Sequence, residues 1–245
     1  MTMIVTAESN IRAKLEKRLE QGIKELNLEV STYQQSQLID YIELFDKWNR
    51  AYNLSAIRDV VEMVTRHLLD SLAVAPHLQA YFETINGRSI DGQSSDERDK
   101  KNCATQFIDV GTGGGLPGIP LAILFPKQSF TLLDSNGKKT RFLFQVKTEL
   151  KLDNVTVENC RVEQFTPSQL FDGVISRAFA SIEDMTRGCA HLLRTGGYFW
   201  AMKGIYPQDE LAAVQKNYTV AGSHRLQVPE CDGERHLLLI KPVTQ

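Results

Sequence analysis

Two acids and a run of glycines mark where this chain could do chemistry. The stretch "FIDVGTGGGLPGIPL" (107–121) carries an apolar run straight into Gly111, Gly113, Gly114 and Gly115. Glycine lets a backbone adopt positive φ and lets a ligand approach with no Cβ in the way. Four occupants compete for such a turn: a phosphate, a dinucleotide, a methyl donor, or nothing at all. A phosphate-binding P-loop needs Lys and then Ser or Thr directly after its last glycine, and here Ile119 and Pro120 follow Gly118. The dinucleotide fingerprint needs a third glycine where Leu116 stands. A GxGxG pattern remains, at Gly111, Gly113 and Gly115.

The two acids narrow the choice. "FTLLD" ends on Asp134, 25 positions after Asp109, where a carboxylate can accept two hydrogen bonds from the ribose of an adenosine moiety. Asp134 could instead cap a helix, a task that Ser135 or Asn136 could take over. Further on, "NCRVEQF" offers Val162 as an apolar contact and Glu163 as an acceptor for an adenine edge. Glycine turn, acid and apolar–acid pair on three successive strands favour an adenosine-bearing methyl donor.

The elements that must hold these residues follow from periodicity. Residues 9 to 80 read as helical: Leu38, Ile42, Phe45 and Trp48 keep helical spacing, Ser31 or Thr32 can cap their helix, and "VVEMVTRHLLDSLAVAPHL" forms another ending near Pro76. Arg66, His67 and Asp70 then share a helical face, and His67, Phe45 and Trp48 read as packing residues. Residues 83–105 are polar, glycine-containing and aperiodic, as in a flexible connector. From 106 onward, apolar runs alternate with helical stretches, and the last two runs lack a helix between them. This pattern predicts an α/β, Rossmann-like, mostly parallel seven-stranded sheet with an antiparallel C-terminal edge. The expected organisation is a helical N-terminal extension (1–82), the connector (83–105) and the sheet domain (106–245).

Composition sets the outer limits. The chain has 245 residues, 42% hydrophobic and 24% charged, with net charge −2, so contact with RNA would need a local basic patch on a neutral body. No apolar run approaches the roughly 18 residues of a membrane span, and Glu8 and Arg12 interrupt any leader-like stretch. The scattered Cys103, Cys160, Cys189 and Cys231 form no CxxC pair, which predicts no metal site and a reducing cytoplasm. Cys160 and Cys189 read as small buried hydrophobes. Lys138, Lys139 and Arg141 open a helix, where cations oppose the helix dipole at a cost of about 0.3–1 kcal/mol. RNA phosphates would offset that cost. Lys203 and Arg235 are further candidates.

The segments "KWNRAYNLSAIRD", "RHLLDSL", "FIDVGTGGGLPGIPL", "LLDSNGKKTRFL", "RVEQF", "FDGVISRAFAS" and "DGERHLLLIK" resemble the RsmG (GidB) family over residues 32 to 241. Residues 83–105 are longer than the family's connector, and the first 30 residues match nothing in its pattern. The resemblance implies a class I S-adenosylmethionine-dependent methyltransferase acting on guanine N7 of bacterial 16S ribosomal RNA. Gly111, Leu116, Val162, Glu163 and Arg177 would line the donor pocket, with Gly113, Gly115 and Asp134 joining them on the physical argument above. The implied partner is 16S ribosomal RNA or the small ribosomal subunit, bound by a monomer with no role for membrane or DNA. Guanine N7 carries an unprotonated lone pair, so alignment should carry catalysis and no acid–base residue is assigned. Rival readings are a methyltransferase for another RNA, a protein or a small molecule, an NAD-dependent oxidoreductase, and an RNA-binding module without turnover.

Overall fold

The computed structural model describes residues 2–88 and 104–243. Seven strands form one sheet: β1 (Gln106–Val110), β2 (Ser129–Leu133), β3 (Val155–Glu158), β4 (Phe171–Ser176), β5 (Leu193–Lys203), β6 (Tyr218–Arg225) and β7 (His236–Pro242). Their order is β3-β2-β1-β4-β5-β7-β6. β1 to β5 pair in parallel, while β7 runs antiparallel between β5 and β6. This is the expected Rossmann-like sheet. The central strand β4 is buried along its whole length, as a strand covered on both faces must be.

Order reverses between β1 and β4, and the crevice at such a switch point is where open α/β sheets take ligands. The helices after β1, β2 and β4 are α6 (Gly118–Leu124), α7 (Gly137–Leu150) and α8 (Ile182–Cys189). Asn136 caps α7 by accepting from the Lys138 N–H, which leaves Asp134 without that duty. A short helix, α9 (Gln208–Val214), lies between β5 and β6. Its seven residues are too few to show a helical period, and the sequence pattern passed over it.

The N-terminal helices are α1 (Thr2–Glu25), α2 (Thr32–Tyr52), α3 (Val60–Met63), α4 (Asp70–Leu72) and α5 (Ala75–Arg88), with a π-helical segment, Val64–Leu69, between α3 and α4. Ser31 caps α2 in a reciprocal box with Gln34. Leu15 and Leu19 of α1 and Leu38 and Ile42 of α2 join Phe107, Phe130 and Trp200 of the sheet in one buried cluster. The helical layer therefore forms one wall of the sheet's own core.

Two expectations need correction. Pro76 opens α5 instead of ending a helix, because its missing N–H costs nothing in a first turn. Residues 83–88 belong to α5 and not to a connector; 89–103 lie outside the described residues. Among the described residues no helix is long and apolar enough to cross a membrane.

Candidate methyl-donor site

The glycine turn is held from below by an acid that sequence spacing alone had used only as a marker. Asp109, one residue before the end of β1, is buried; its Oδ2 accepts from Thr112 Oγ1 (2.7 Å) and from the Gly118 N–H (2.9 Å). One carboxylate oxygen thus ties the start of the turn to the start of α6. Burial pushes the Asp109 carboxyl up to about 6, against the pull of Thr112, Gly118 and Arg177. Its Oδ1 has no partner among the described residues. An acid two positions before the first glycine was the available signal.

The turn is gripped from behind by α2. Tyr41 donates its hydroxyl to the Gly114 carbonyl (2.7 Å), and a Cβ on Gly114 would lie 2.3 Å from a Phe45 ring carbon. Only glycine permits that approach of helix to turn. Tyr41 is wholly buried, which raises its phenol well above the usual value. Phe45 also packs on His67, with ring centroids 5.1 Å apart. His67 Nε2 lies 2.9 Å from Ser55 Oγ, and burial, with Arg177 nearby, pushes the imidazole down to about 4. His67 is a neutral packing residue, as expected. Its neighbour Asp70 ends the π turn, whose wide spacing gives an Asp70 N–H bond to the Thr65 carbonyl.

The front of the turn opens on a cleft of about 280 Å³ at the carboxyl ends of β1, β2 and β4. Gly111, Asp134, Val162 and Glu163 line it, as do Lys139, Cys160 and Phe179. An adjoining hollow of about 420 Å³ shares Val162, Glu163 and Phe179. Gly111 has φ +70°, and a Cβ there would meet Ala178 Cβ at 2.8 Å, so the floor is bare backbone by necessity. Asp134 accepts from the Gly113 N–H (2.9 Å) and the Asn136 N–H (2.8 Å), one on each oxygen. A carboxylate has about four acceptor positions, so two stay available to a ligand hydroxyl. Lys139 Nζ stands 3.9 Å from Asp134. The residues present fit an adenosine-bearing donor: bare floor, acceptor pair, apolar wall and second acid.

Not every expected residue meets in that cleft. Gly113 touches it through Asp134. Leu116 is buried in the core beneath the turn, and a Cβ on Gly115 would press on Ile119 and Leu143 instead of a ligand. Arg177, just past β4, donates to Asp70 Oδ2 at 2.7 Å. Of the cations considered for RNA, Lys138 and Arg141 are exposed at the start of α7. Lys203 is spent inside the protein, on the Ala180 carbonyl (3.1 Å) and Glu210 (2.8 Å), and Arg235 pairs with Asp70 (2.8 Å). Neither is a free surface cation. Cys189 is buried, its thiol pushed up to about 12 by burial, whereas Cys160 is only half-buried and faces the cleft.

A model of the GidB family, described as rRNA small subunit methyltransferase G, matches residues 34–91 and 92–238. The chain belongs to that family. Proteins named ribosomal RNA small subunit methyltransferase G support the same placement. The one from Cellvibrio japonicus is 54% identical over 234 residues, covering 96% of this chain and 98% of its own. That of Saccharophagus degradans is 53% identical over 227 residues, covering 93% and 91%. That of Ectopseudomonas mendocina is 49% identical over 221 residues, covering 90% and 93%. The first match takes in much of α1 as well, so GidB relatives extend into the segment in which the sequence pattern found no counterpart.

Proposed function

We propose that this chain transfers the methyl group of S-adenosylmethionine to N7 of a guanosine in small-subunit (16S) ribosomal RNA. Membership of the GidB family gives the reaction and the RNA. The observation that carries the donor site is the cleft in which the Gly111 floor and the Asp134 and Glu163 acids converge at the switch point of the sheet.

When bound, the donor supplies an electrophilic methyl on a sulfonium. The chain's part is to bind and orient. Asp134 would accept from the ribose hydroxyls, Val162 and Phe179 would flank the base, and Glu163 would accept from its edge. Asp109 keeps the turn in shape by tying Thr112 to Gly118. Guanine N7 needs no base to activate it, so the site is organised for approach and alignment. N7 faces the deep major groove of A-form RNA, which side chains do not read, so the target base is splayed or in a loop when it reacts. Lys138 and Arg141, exposed at the start of α7, would meet the phosphates. On this reading the chain acts as a monomer, in the cytoplasm where its ribosomal substrate is found.

The test supplies small ribosomal subunits, or their naked RNA, from cells lacking this activity, together with S-adenosylmethionine. One guanosine should gain an N7 methyl that chemical cleavage locates. Transfer to another atom, or to no ribosomal guanosine in either form of the substrate, refutes the assignment.

A further inference from the structure

Asp70 joins three parts of the chain that lie far apart in sequence. Its Oδ2 accepts from Arg177 Nη1 at 2.7 Å, across 107 positions, and its Oδ1 accepts from Arg235 Nε at 2.8 Å, across 165. Arg177 follows β4 and Arg235 precedes the antiparallel β7, so the helical layer reaches two points on one rim of the sheet through a single carboxylate. The backbone is arranged to bring it there. Asp70 directly follows the π-helical segment, and its N–H bonds to the carbonyls of Thr65 and His67. Such wide turns are rare, and recur at functional sites.

Two guanidiniums share this one carboxylate, and the buried Asp109 carboxyl also feels the charge of Arg177. The Asp70 side chain is 8% exposed, but those of Arg177 and Arg235 are 27% and 30% exposed. The anion is thus shielded while the cations reach outward. Arg235 also donates to the Glu234 carbonyl and to Cys231 Sγ. Among the described residues Arg177 has no hydrogen-bond partner besides Asp70, so most of its five N–H donors face outward without one. Arg177 is next in sequence to Ala178, which lines the donor cleft. A partly buried ion pair of this kind is weak support for stability, since desolvation offsets its attraction. It is well suited to fixing geometry.

We propose that Asp70 is a positioning residue for methyl transfer: it holds Arg177 and Arg235 side by side so that their remaining N–H donors meet an oxyanion of the bound reactants. The ordering of two long side chains is then complete before the ligand arrives, which lowers the cost of productive binding. The oxyanion is the donor's carboxylate or a phosphate of the RNA. This inference rests on the proposed methyl transfer and names a group that transfer depends on.

Asp70→Asn tests it with the full-length chain. The shape is kept, but one acceptor oxygen becomes an NH₂ facing a guanidinium. Donor affinity by calorimetry, kcat and KM for ribosomal RNA, and Tm are measured together. The expected result is a loss of tenfold or more in kcat/KM with Tm within a few degrees. Weakened donor binding would identify the carboxylate; a raised RNA KM with a shallower salt dependence would identify the phosphate. A double-mutant cycle with Arg235→Gln should show strongly non-additive losses, because both changes disable one unit. Turnover within twofold of the parent, or losses that simply multiply, overturns the inference. If Asp70→Asn does not fold, Asp70→Glu, which keeps the charge but shifts it by one methylene, is read by the same two criteria. The parent protein serves as the control: if it transfers no methyl, the functional reading itself fails, whereas an active parent with an equally active Asp70 variant refutes only the role of Asp70.

Discussion

Two hollows in this molecule invite comparison. One, of about 870 Å³, lies between α9 and the β6–β7 edge, lined by Leu211, Val214, Tyr218, Val220 and Ile240, with Lys241 as its single charged residue. The other, of about 280 Å³, lies at the glycine turn and gathers Asp134, Glu163, Lys139 and Arg161 around bare backbone. The larger space has little to orient a ligand with; the smaller has acceptors, cations and an apolar wall on rigid strand ends. Volume alone does not locate the chemistry. Converging polar groups on rigid strand ends, with Asp134 held by two backbone N–H groups, do.

The contrast can be broken most severely at the floor of the small cleft. Gly111→Val forces a β-branched residue to positive φ and drives a Cβ to 2.8 Å from Ala178. Donor binding should weaken by about 100-fold or more, roughly 2.7 kcal/mol, as calorimetry would show. Binding that survives would mean the donor sits elsewhere.

The dry wall behind the turn gives the next effect. The His67 imidazole is pushed from 6.5 down to about 4 by burial. As pH falls below 6.5 the unfolded chain takes up a proton that the folded chain refuses, so this contribution to stability is present above pH 6.5 and is lost on the way to pH 4. The size is at most about 3 kcal/mol. Asp109, raised to about 6, acts in the opposite sense, favouring the folded state on acidification through the same window. Urea denaturation of the parent and of His67→Gln between pH 4 and 7 separates the two. The variant should lose less stability than the parent as pH falls, and parallel curves would contradict the buried neutral histidine.

Asp134→Asn should weaken the donor by about 10- to 100-fold, since a charge-assisted hydrogen bond contributes about 1.5–3 kcal/mol. The variant also puts an NH₂ against the Gly113 or Asn136 N–H. The smallest effect sharpens the comparison from the other side. Val220→Lys, on the half-exposed edge of the large hollow, should leave donor affinity and turnover within twofold in the same assays. A large loss there would make that hollow functional.

What the sequence revealed and what it hid divide along physical lines. Gly111, Asp134, Val162 and Glu163 could be read because each follows an apolar run with a clear strand period, and a parallel sheet brings successive strand ends to one rim. Arg177 was placed in the donor pocket by the family resemblance, but its partner Asp70 is on a helix, 107 positions earlier. Nothing in a local pattern records a contact of that range. The π-helical segment was hidden too, because one extra residue in a turn leaves the apolar spacing of "VVEMVTRHLLDSL" almost unchanged. Lys203 looked like a free cation because sequence reports charge without its partners, and the carboxylate that holds Arg235 was hidden for the same reason. Phe45 was read as a packing residue, and nothing local shows that it and Tyr41 grip Gly114.

The central claim is that the turn after β1, with Asp134 on the neighbouring strand, holds the adenosine end of the methyl donor. A crystal structure of the protein soaked with S-adenosylmethionine tests this most directly. Density is expected over Gly111, with the ribose hydroxyls within hydrogen-bonding distance of the Asp134 carboxylate. Density in the α9–β6–β7 hollow, or a cleft that stays empty at saturating donor, would contradict it.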